Sequence, residues 1–307
     1  MSNQTSKLSE VSLVAANYKD GLVFADILQD WFRFLGGKPG EVVIVDGGSD
    51  IETQTVYWNL FQEGLIDKFQ VIQPNHEDND KAKCYIQEYT AGAITSKPYL
   101  LFFKVDTIPY REGHDNWLEE AISYLDRDDV FAIGGSFSMP AKHHDAWSGW
   151  YFSDKCSLNF SLMKRSTFMA AMHELAGSYI ISGFKGENPA QVTNQSRFLI
   201  EVALERYIQR HSVYTLCKIE EPTWTVFHTN THAERLQKTR EKYLARKDIK
   251  RFMNAGFSDR ERNPATAVYY DAKPPAGLVK KMRMKFGKTK AGYYWRWLKQ
   301  KLIFKVE

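Results

Sequence analysis

The sequence predicts an α/β protein with a mostly parallel central sheet flanked by helices. Three observations carry this. Short apolar runs, VSLVAANY, EVVIVD, KFQV and YLLFF, alternate with stretches of helical spacing. The runs are nearly continuous in apolar character, as strands covered on both faces require. Each of three runs ends on a polar residue, at Asn17, Asp46 and Asp106, as the exits of parallel strands bordering a ligand crevice do.

The elements follow in order. Val11 to Tyr18 forms the first strand. The helix after it places Phe24, Ile27, Leu28, Trp31 and Leu35 near one face and stops at Gly36 and Gly37. A second strand ends at Asp46 and a glycine turn. Val56, Leu60 and Leu65 mark a second helix, KFQVIQPN a third strand, and residues 80–94 a third helix. PYLLFFKVD is a fourth strand, WLEEAISYLDRDD an amphipathic helix and VFAIGGSFSM another strand. Residues 140–150, with His143, His144 and Trp147, read as a loop over the strand ends. SLNFSLMKRSTFMAAMHELA reads as a strand turning into a helix, and residues 183–194 as a mobile loop. RFLIEVALERYIQRH is a helix, VYTLCKIEEPTWTVFHT supplies two short strands, and a charged helix spans about Ala233 to Phe252.

Composition limits the function classes. Of 307 residues, 43% are hydrophobic and 25% charged, which suits an ordinary water-soluble core. The net charge of +4 is uneven: residues 274–307 hold ten Lys or Arg and one acid, leaving 31 of the 41 basic and 36 of the 37 acidic residues in a mildly acidic body. A uniformly basic nucleic-acid binder has a different pattern, so no nucleic-acid partner is expected. Three scattered cysteines, Cys84, Cys156 and Cys217, make neither a disulfide framework nor a zinc knuckle. MSNQTSKLSE lacks the apolar run of a signal peptide, and no stretch approaches about 18 apolar residues. A cytoplasmic protein is expected. In the tail, Trp295, Leu298 and Leu302 share a helical stripe ringed by Lys and Arg, which suits peripheral contact with an anionic membrane face. Packing of those aromatics on the body is the competing expectation. The organisation read from the sequence is a catalytic domain over 1–232 and a helical, basic and aromatic extension over 233–307.

The order of these motifs resembles the nucleotide-sugar glycosyltransferases of the GT-A fold, most closely the large inverting family 2, over roughly Val11 to Asn230. In that family a strand like VSLVAANY touches the nucleotide at its end, which implicates Asn17. The second strand ends in a variant of V-D-D-G-S-x-D, here VDGGSD, with Asp46 in the position that usually contacts the base and Gly47 in place of the second aspartate. A glycine-rich strand–helix turn explains the same residues without a ligand. The helix before the metal strand often aims a cation at the diphosphate, and Lys81 fits that position near a helix N-terminus.

The family's metal motif is aspartate, any residue, aspartate; here it reads Lys104, Val105, Asp106. The resemblance therefore implies a Mn²⁺ or Mg²⁺ site with one of its two carboxylates. Strand alternation puts Lys104 and Asp106 on one side, so the lysine is expected to pair with phosphate or with Asp106 itself. A late histidine that meets the metal or diphosphate corresponds to His228; His232 lies four residues on. The base of an inverting transfer sits in an E-D-x-x-L-like motif. Glu201 takes its acidic position and Val202 replaces the aspartate, with Glu205 one turn later and Asp154 as a substitute. Trp147, Trp150 and Tyr151 flank the expected acceptor side. The implied reaction moves a sugar from a nucleoside-diphosphate donor to a hydroxyl on a glycan or lipid-linked acceptor. Two alternatives stay open: a sugar-nucleotide-binding or membrane scaffold without turnover, since Gly47, Lys104 and Val202 stand where carboxylates are usual, and an S-adenosylmethionine-dependent methyltransferase, whose glycine loop VDGGSD superficially matches.

Overall fold

The computed structural model describes residues 7–72, 80–134, 142–143, 150–182, 199–217, 223–229 and 231–244. Its first half follows the expected alternation: β1 (Val11–Asn17), α1 (Gly21–Leu35), β2 (Glu41–Asp46), α2 (Ile51–Gln62), β3 (Lys68–Val71), α3 (Asp80–Ile94) and β4 (Tyr99–Phe103). Then come β5 (Thr107–Arg111), α4 (Trp117–Leu125), β6 (Val130–Gly134), β7 (Lys142–His143), β8 (Tyr151–Ser153) and β9 (Phe160–Lys164). The described chain closes with α5 (Arg165–Ile181), α6 (Leu199–His211), β10 (Tyr214–Cys217), β11 (Trp224–His228) and α7 (Ala233–Leu244).

Among the described residues nine strands form one sheet in the order β3-β2-β1-β4-β9-β6-β10-β8-β7. β3, β2, β1 and β4 are mutually parallel, and so are β6 and β10. β9 runs antiparallel between β4 and β6, pairing Phe160 with Phe103 and Lys164 with Tyr99. The sheet is thus mixed but mostly parallel, with helices on both faces.

Strand alternation divides the core in two. Leu13, Ala15, Val42, Ile44, Leu101 and Phe103 face α1 and α4, whose Phe24, Ile27, Trp31 and Leu118 are buried against them. Val14, Val43, Val45, Leu100 and Phe102 face α3, α5 and α6, meeting Ala91, Phe168 and Leu204. Every residue of β1, β2, β4 and β6 is buried, which explains why the runs read as continuously apolar. α1 stops where the sequence indicates, at Gly36 with φ 84, a left-handed cap conformation that glycine adopts without steric cost.

A second, two-stranded sheet pairs β5 with β11 antiparallel. Sequence reading placed Pro109 beyond the fourth strand and no strand here. The pairing tolerates the proline because a two-stranded ribbon has free edges. Its consequence is functional: His228 lies opposite Thr107, the residue after Asp106.

The chain divides into two compact units, Met1–Asp271 and Ala272–Glu307. The boundary expected at residue 232 therefore falls inside the first unit, and the physical reason is α7. Arg240 donates from Nε to Asp30 Oδ2 at 2.6 Å, from Nη2 to Asp30 Oδ1 at 3.1 Å and from Nη1 to Asp26 Oδ2 at 3.1 Å, joining α7 to α1. Arg240→Ala leaves buried Asp30 with Arg33 as its remaining cation. That change is expected to lower unfolding free energy by about 2 kcal/mol, less than for a wholly uncompensated buried charge, as chemical denaturation would measure. The basic tail lies outside the described residues. No helix among the described residues is long and apolar enough to cross a membrane.

Candidate functional site

The site is built where β2, β1 and β4 end side by side. Asn17 is in register with Asp46, and Ala15 with Phe103, so Asn17, Asp46 and the turn after Phe103 share the carboxyl edge of three adjacent parallel strands. Asp106 lies in that turn, three residues past the end of β4.

The β1–β2 corner is tightly braced. Asn17 donates from Nδ2 to the Lys19 carbonyl at 2.8 Å and to the Tyr57 hydroxyl, while its own carbonyl accepts from Gly47 N at 2.9 Å and Gln87 Nε2 at 2.8 Å. Gln87, on α3, also reaches the Val45 carbonyl at 3.2 Å. Gly47 leaves room for this approach: a Cβ there would stand 2.7 Å from Gln87 Nε2 and displace that side chain. Asp46 is fully buried. Its Oδ2 accepts from Ser49 N at 2.9 Å and Gln54 Nε2 at 3.1 Å, and its Oδ1 from the Ser49 hydroxyl. Both oxygens are thus committed to the turn, and Asp46 is a brace here, not the open acceptor for a base that its sequence position suggested.

The brace extends to residues that sequence reading passed over. Ser49 Oγ accepts from Lys19 N at 2.7 Å. Lys19 and Asp20 are consecutive non-glycine residues in the left-handed region, φ 65 and 61, a strain of order 1 kcal/mol each. Asp20 spends its carboxylate on the β11–α7 junction, accepting from Ala233 N at 3.0 Å and contacting His232 Nδ1 at 2.8 Å. His232 is therefore bonded to Asp20, which gives it a place other than a paired zinc site with His228. Tyr18 stays 52% exposed at the strand exit, with Lys19 Nζ 5.0 Å from its ring centroid. The polar ANYKD run after an apolar strand was the available signal for both.

At β4 the strand ends at Phe103 and the chain turns: Thr107 N and Oγ1 both donate to the Lys104 carbonyl. Strand alternation therefore does not reach Asp106. Lys104 goes to α3 and pairs with Glu88, not with Asp106 as expected. Asp106 goes the other way and meets His228, Nε2 to Oδ2 at 3.0 Å. The Asp106 backbone carbonyl accepts from Thr229 N at 2.9 Å and Oγ1 at 3.0 Å, fixing the end of β11 beside the turn. Residues 122 apart in sequence thus form one polar cluster.

A carboxylate suits Mn²⁺ or Mg²⁺ and an added imidazole favours Mn²⁺, but among the described residues no group of three or more His, Cys, Asp or Glu is placed to hold an ion. The donor set fits an ion that arrives with a diphosphate and completes its shell from phosphate oxygens and water. It does not fit a resident structural metal.

Glu201, on the first turn of α6, is partly buried. Its Oε1 accepts from Ser157 Oγ at 3.0 Å and Leu158 N at 3.1 Å, and the next residue's carbonyl, Asn159 O, accepts from Lys104 N at 3.2 Å. Burial, then the negative charge of Glu88, push its carboxyl up to about 7 against the opposing hydrogen bonds and Lys104. Glu205 pairs with Lys155 at 3.4 Å, and Asp154 is exposed, accepting from Gln209 at 3.5 Å. Trp150 is 1% exposed and packs near Tyr124 and Trp224, so it is core, not an acceptor platform. Lys81 falls in the first turn of α3, but its side chain, that of Tyr151, and the segments carrying His144, Trp147 and residues 183–194 lie outside the described residues.

No protein-family model matches the sequence, and no curated protein resembles it closely enough to count as a match. Solved structures do align with it. They include the mannosyltransferase PcManGT from Pyrobaculum calidifontis in complex with GDP-Man and Mn²⁺, at 14% identity and a TM-score of 0.37 over 54% of this chain and 46% of that one. S. aureus TarS 1–349 in complex with UDP-GlcNAc aligns at 11% identity and 0.42 over 74% of this chain and 60% of its own. A UDP-glucose pyrophosphorylase complexed with UDP-glucose aligns at 10% identity and 0.47, over 77% and 99%. The chain spans less than two thirds of the first two. At such identities residue roles do not transfer, and the functional reading rests on this chain's own geometry.

Proposed function

We propose that this chain is a GT-A-type glycosyltransferase that moves a sugar from a nucleoside-diphosphate donor to a hydroxyl on a glycan or lipid-linked acceptor, with inversion. The observation that carries the reading is the Asp106–His228 contact at a strand edge shared with Asn17 and Asp46. It sets a carboxylate and an imidazole at the carboxyl edge of the strands, where α/β sheets bind nucleotides.

In this reading Asn17, Gly47 and Asp46 hold the nucleotide corner in shape, and exposed Tyr18 and Lys19 border it. Asp106 and His228 would hold a Mn²⁺ or Mg²⁺ ion, which when bound would supply neutralising charge for the departing diphosphate. Lys81 adds positive charge, while Lys104 is paired with Glu88. Glu201 takes the proton from the acceptor hydroxyl, the hydroxyl oxygen bonds to the anomeric carbon, and the bond from that carbon to the diphosphate oxygen breaks with its electron pair leaving on the diphosphate. The raised proton affinity of Glu201 supports this role, because a base that titrates near neutrality both accepts and returns a proton readily. The basic tail would bring the enzyme to an anionic membrane bearing the acceptor.

A thermal-shift screen of UDP-, GDP-, CMP- and dTDP-sugars, each with and without Mn²⁺, tests the reading. The expected result is stabilisation by one nucleotide class that grows with Mn²⁺. Indifference to every nucleotide, with stabilisation by S-adenosylmethionine, would sink it in favour of a methyltransferase.

A further inference from the structure

The β11–α7 junction is held by a residue 212 positions away in sequence. Asp20, in the turn after β1, accepts from Ala233 N at 3.0 Å through Oδ1 and is bonded to His232 Nδ1 at 2.8 Å through Oδ2. Both ends of this joint lead to the candidate site. On one side, Lys19 N donates to Ser49 Oγ at 2.7 Å and the Lys19 carbonyl accepts from Asn17 Nδ2 at 2.8 Å, so the turn is fastened to the β1–β2 corner. On the other side, Thr231 N and Oγ1 donate to Thr229 Oγ1 at 3.3 and 2.9 Å, and Thr229 Oγ1 donates onward to the Asp106 carbonyl at 3.0 Å. Both threonines are buried. His228, whose Nε2 meets Asp106, directly precedes Thr229. Hydrogen bonds and short chain segments thus form a closed circuit from Asn17 and Ser49, through Asp20, to Asp106 and His228. Among the described residues five non-glycine residues have positive φ, and three of them, Lys19, Asp20 and Ala233 at 65, 61 and 49, lie at this joint. Such backbone persists only where surrounding contacts over-determine it, and it gathers where position matters. Attachment of α7 does not require it, because Arg240 already ties α7 to Asp26 and Asp30 of α1.

We propose that Asp20 is a positioning residue for the Asp106–His228 pair: by gripping His232 and Ala233 it ties the end of β11 to the β1 turn and so sets where the His228 imidazole stands. The functional meaning rests on the reading of Asp106 and His228 as the residues that would hold a divalent ion. A carboxylate at the N-terminus of α7 suits the grip, since it accepts from a backbone N–H that has no partner within the helix and complements the helix dipole. Two donors with one ion between them are useful only when their separation is fixed, and residues outside the donor set that hold the donors in place are part of such a site. Asp106 is fixed from its own side by the turn after β4. His228 arrives from a two-stranded ribbon, and the chain that continues from it is gripped at Asp20. The same carboxylate makes the nucleotide corner and the ion-holding pair neighbours in one rigid frame.

Histidine-ring NMR of the full chain at one fixed pH tests this, with the His228 resonance assigned by its loss in His228→Gln. Asp20→Ala is expected to shift the His228 resonance in the protein alone. It is also expected to weaken Mn²⁺ binding by about 10-fold, read as paramagnetic broadening of that resonance when Mn²⁺ is added with UDP or with GDP. Asp20→Asn keeps an acceptor for Ala233 N and is expected to fall between wild type and Asp20→Ala. Arg240→Ala is the structural control, expected to lower the unfolding temperature and leave the His228 resonance in place. A His228 resonance that stays put in Asp20→Ala, or that moves as far in Arg240→Ala, overturns the proposal and leaves Asp20 a helix cap. If Asp20→Ala does not fold, His232→Ala takes its place with the same expected shift, and an unmoved His228 resonance there overturns the proposal equally. The two readings fail separately. A wild-type resonance that Mn²⁺ never broadens removes the ion-holding role of the pair, while a shift in Asp20→Ala still upholds the positioning.

Discussion

Asp106→Asn lowers kcat by about 100-fold or more while the unfolding temperature stays nearly unchanged. The stability half of the expectation comes from how the residue is held. The Asp106 backbone carbonyl is bonded by Thr229 N and Oγ1, contacts the substitution leaves in place. Asn has the same shape, and its side-chain oxygen still faces His228 Nε2 across the 3.0 Å contact. Only the charge is lost. The activity half follows from that charge under the proposed function: Lys104 is paired with Glu88, so Asp106 is the carboxylate left beside His228. Hundredfold slowing corresponds to about 2.7 kcal/mol of transition-state stabilisation, within what a charge-neutralising ion contributes. The same variant is expected to lose the extra donor-induced thermal stabilisation that Mn²⁺ provides. Wild-type kcat in Asp106→Asn would remove the residue from the chemistry. Loss of kcat with an equally large fall in unfolding temperature would reassign it to structure.

What could be read in the sequence and what could not follows from the range of the interactions. β1, β2 and β4 were legible because parallel strands buried on both faces show uninterrupted apolar character, and α1 because its buried residues recur at helical spacing. The shared edge of Asn17, Asp46 and the turn after Phe103 follows from strand direction alone. β5 was hidden for a different reason. It is five residues long and is defined by a partner far away in sequence, β11. Of the two partners expected for Lys104, Asp106 is not the one it meets, because alternation holds only while the strand continues, and the chain turns after Phe103. Asp46 shows a related limit. A carboxylate at a strand exit has the same sequence appearance whether it faces a ligand or closes its own turn; Ser49 and Gln54, three and eight residues on, were the signs of the second arrangement. Glu88 gave no sign, since an acid on an amphipathic helix usually faces water.

Glu201→Gln separates chemistry from stability more sharply than any other substitution. With the base removed, transfer is expected to fall by about 10²- to 10⁴-fold, and the acidic limb that Glu201 imposes near pH 7 should vanish from the residual rate. In the wild type the rate should decline as pH drops through that value, because the proton-accepting form is lost. The stability effect has the opposite tendency. Glu201 binds its proton more tightly folded, at about 7, than at its ordinary value of 4.5, so between those values the native state holds more protons than the unfolded chain. The contribution of this residue to stability is therefore fullest below pH 4.5 and is lost as pH rises through 7. A glutamine cannot ionise and escapes that loss. Glu201→Gln should consequently unfold at a higher temperature than wild type at pH 8, with the difference shrinking toward pH 4.5. Thermal denaturation of both proteins across that range checks it. A variant that is less stable than wild type at pH 8 would mean that the bonds from Ser157 and Leu158 outweigh the cost of burying the charge, and Glu201 would then be a structural anchor of α6 and not a base poised for proton transfer.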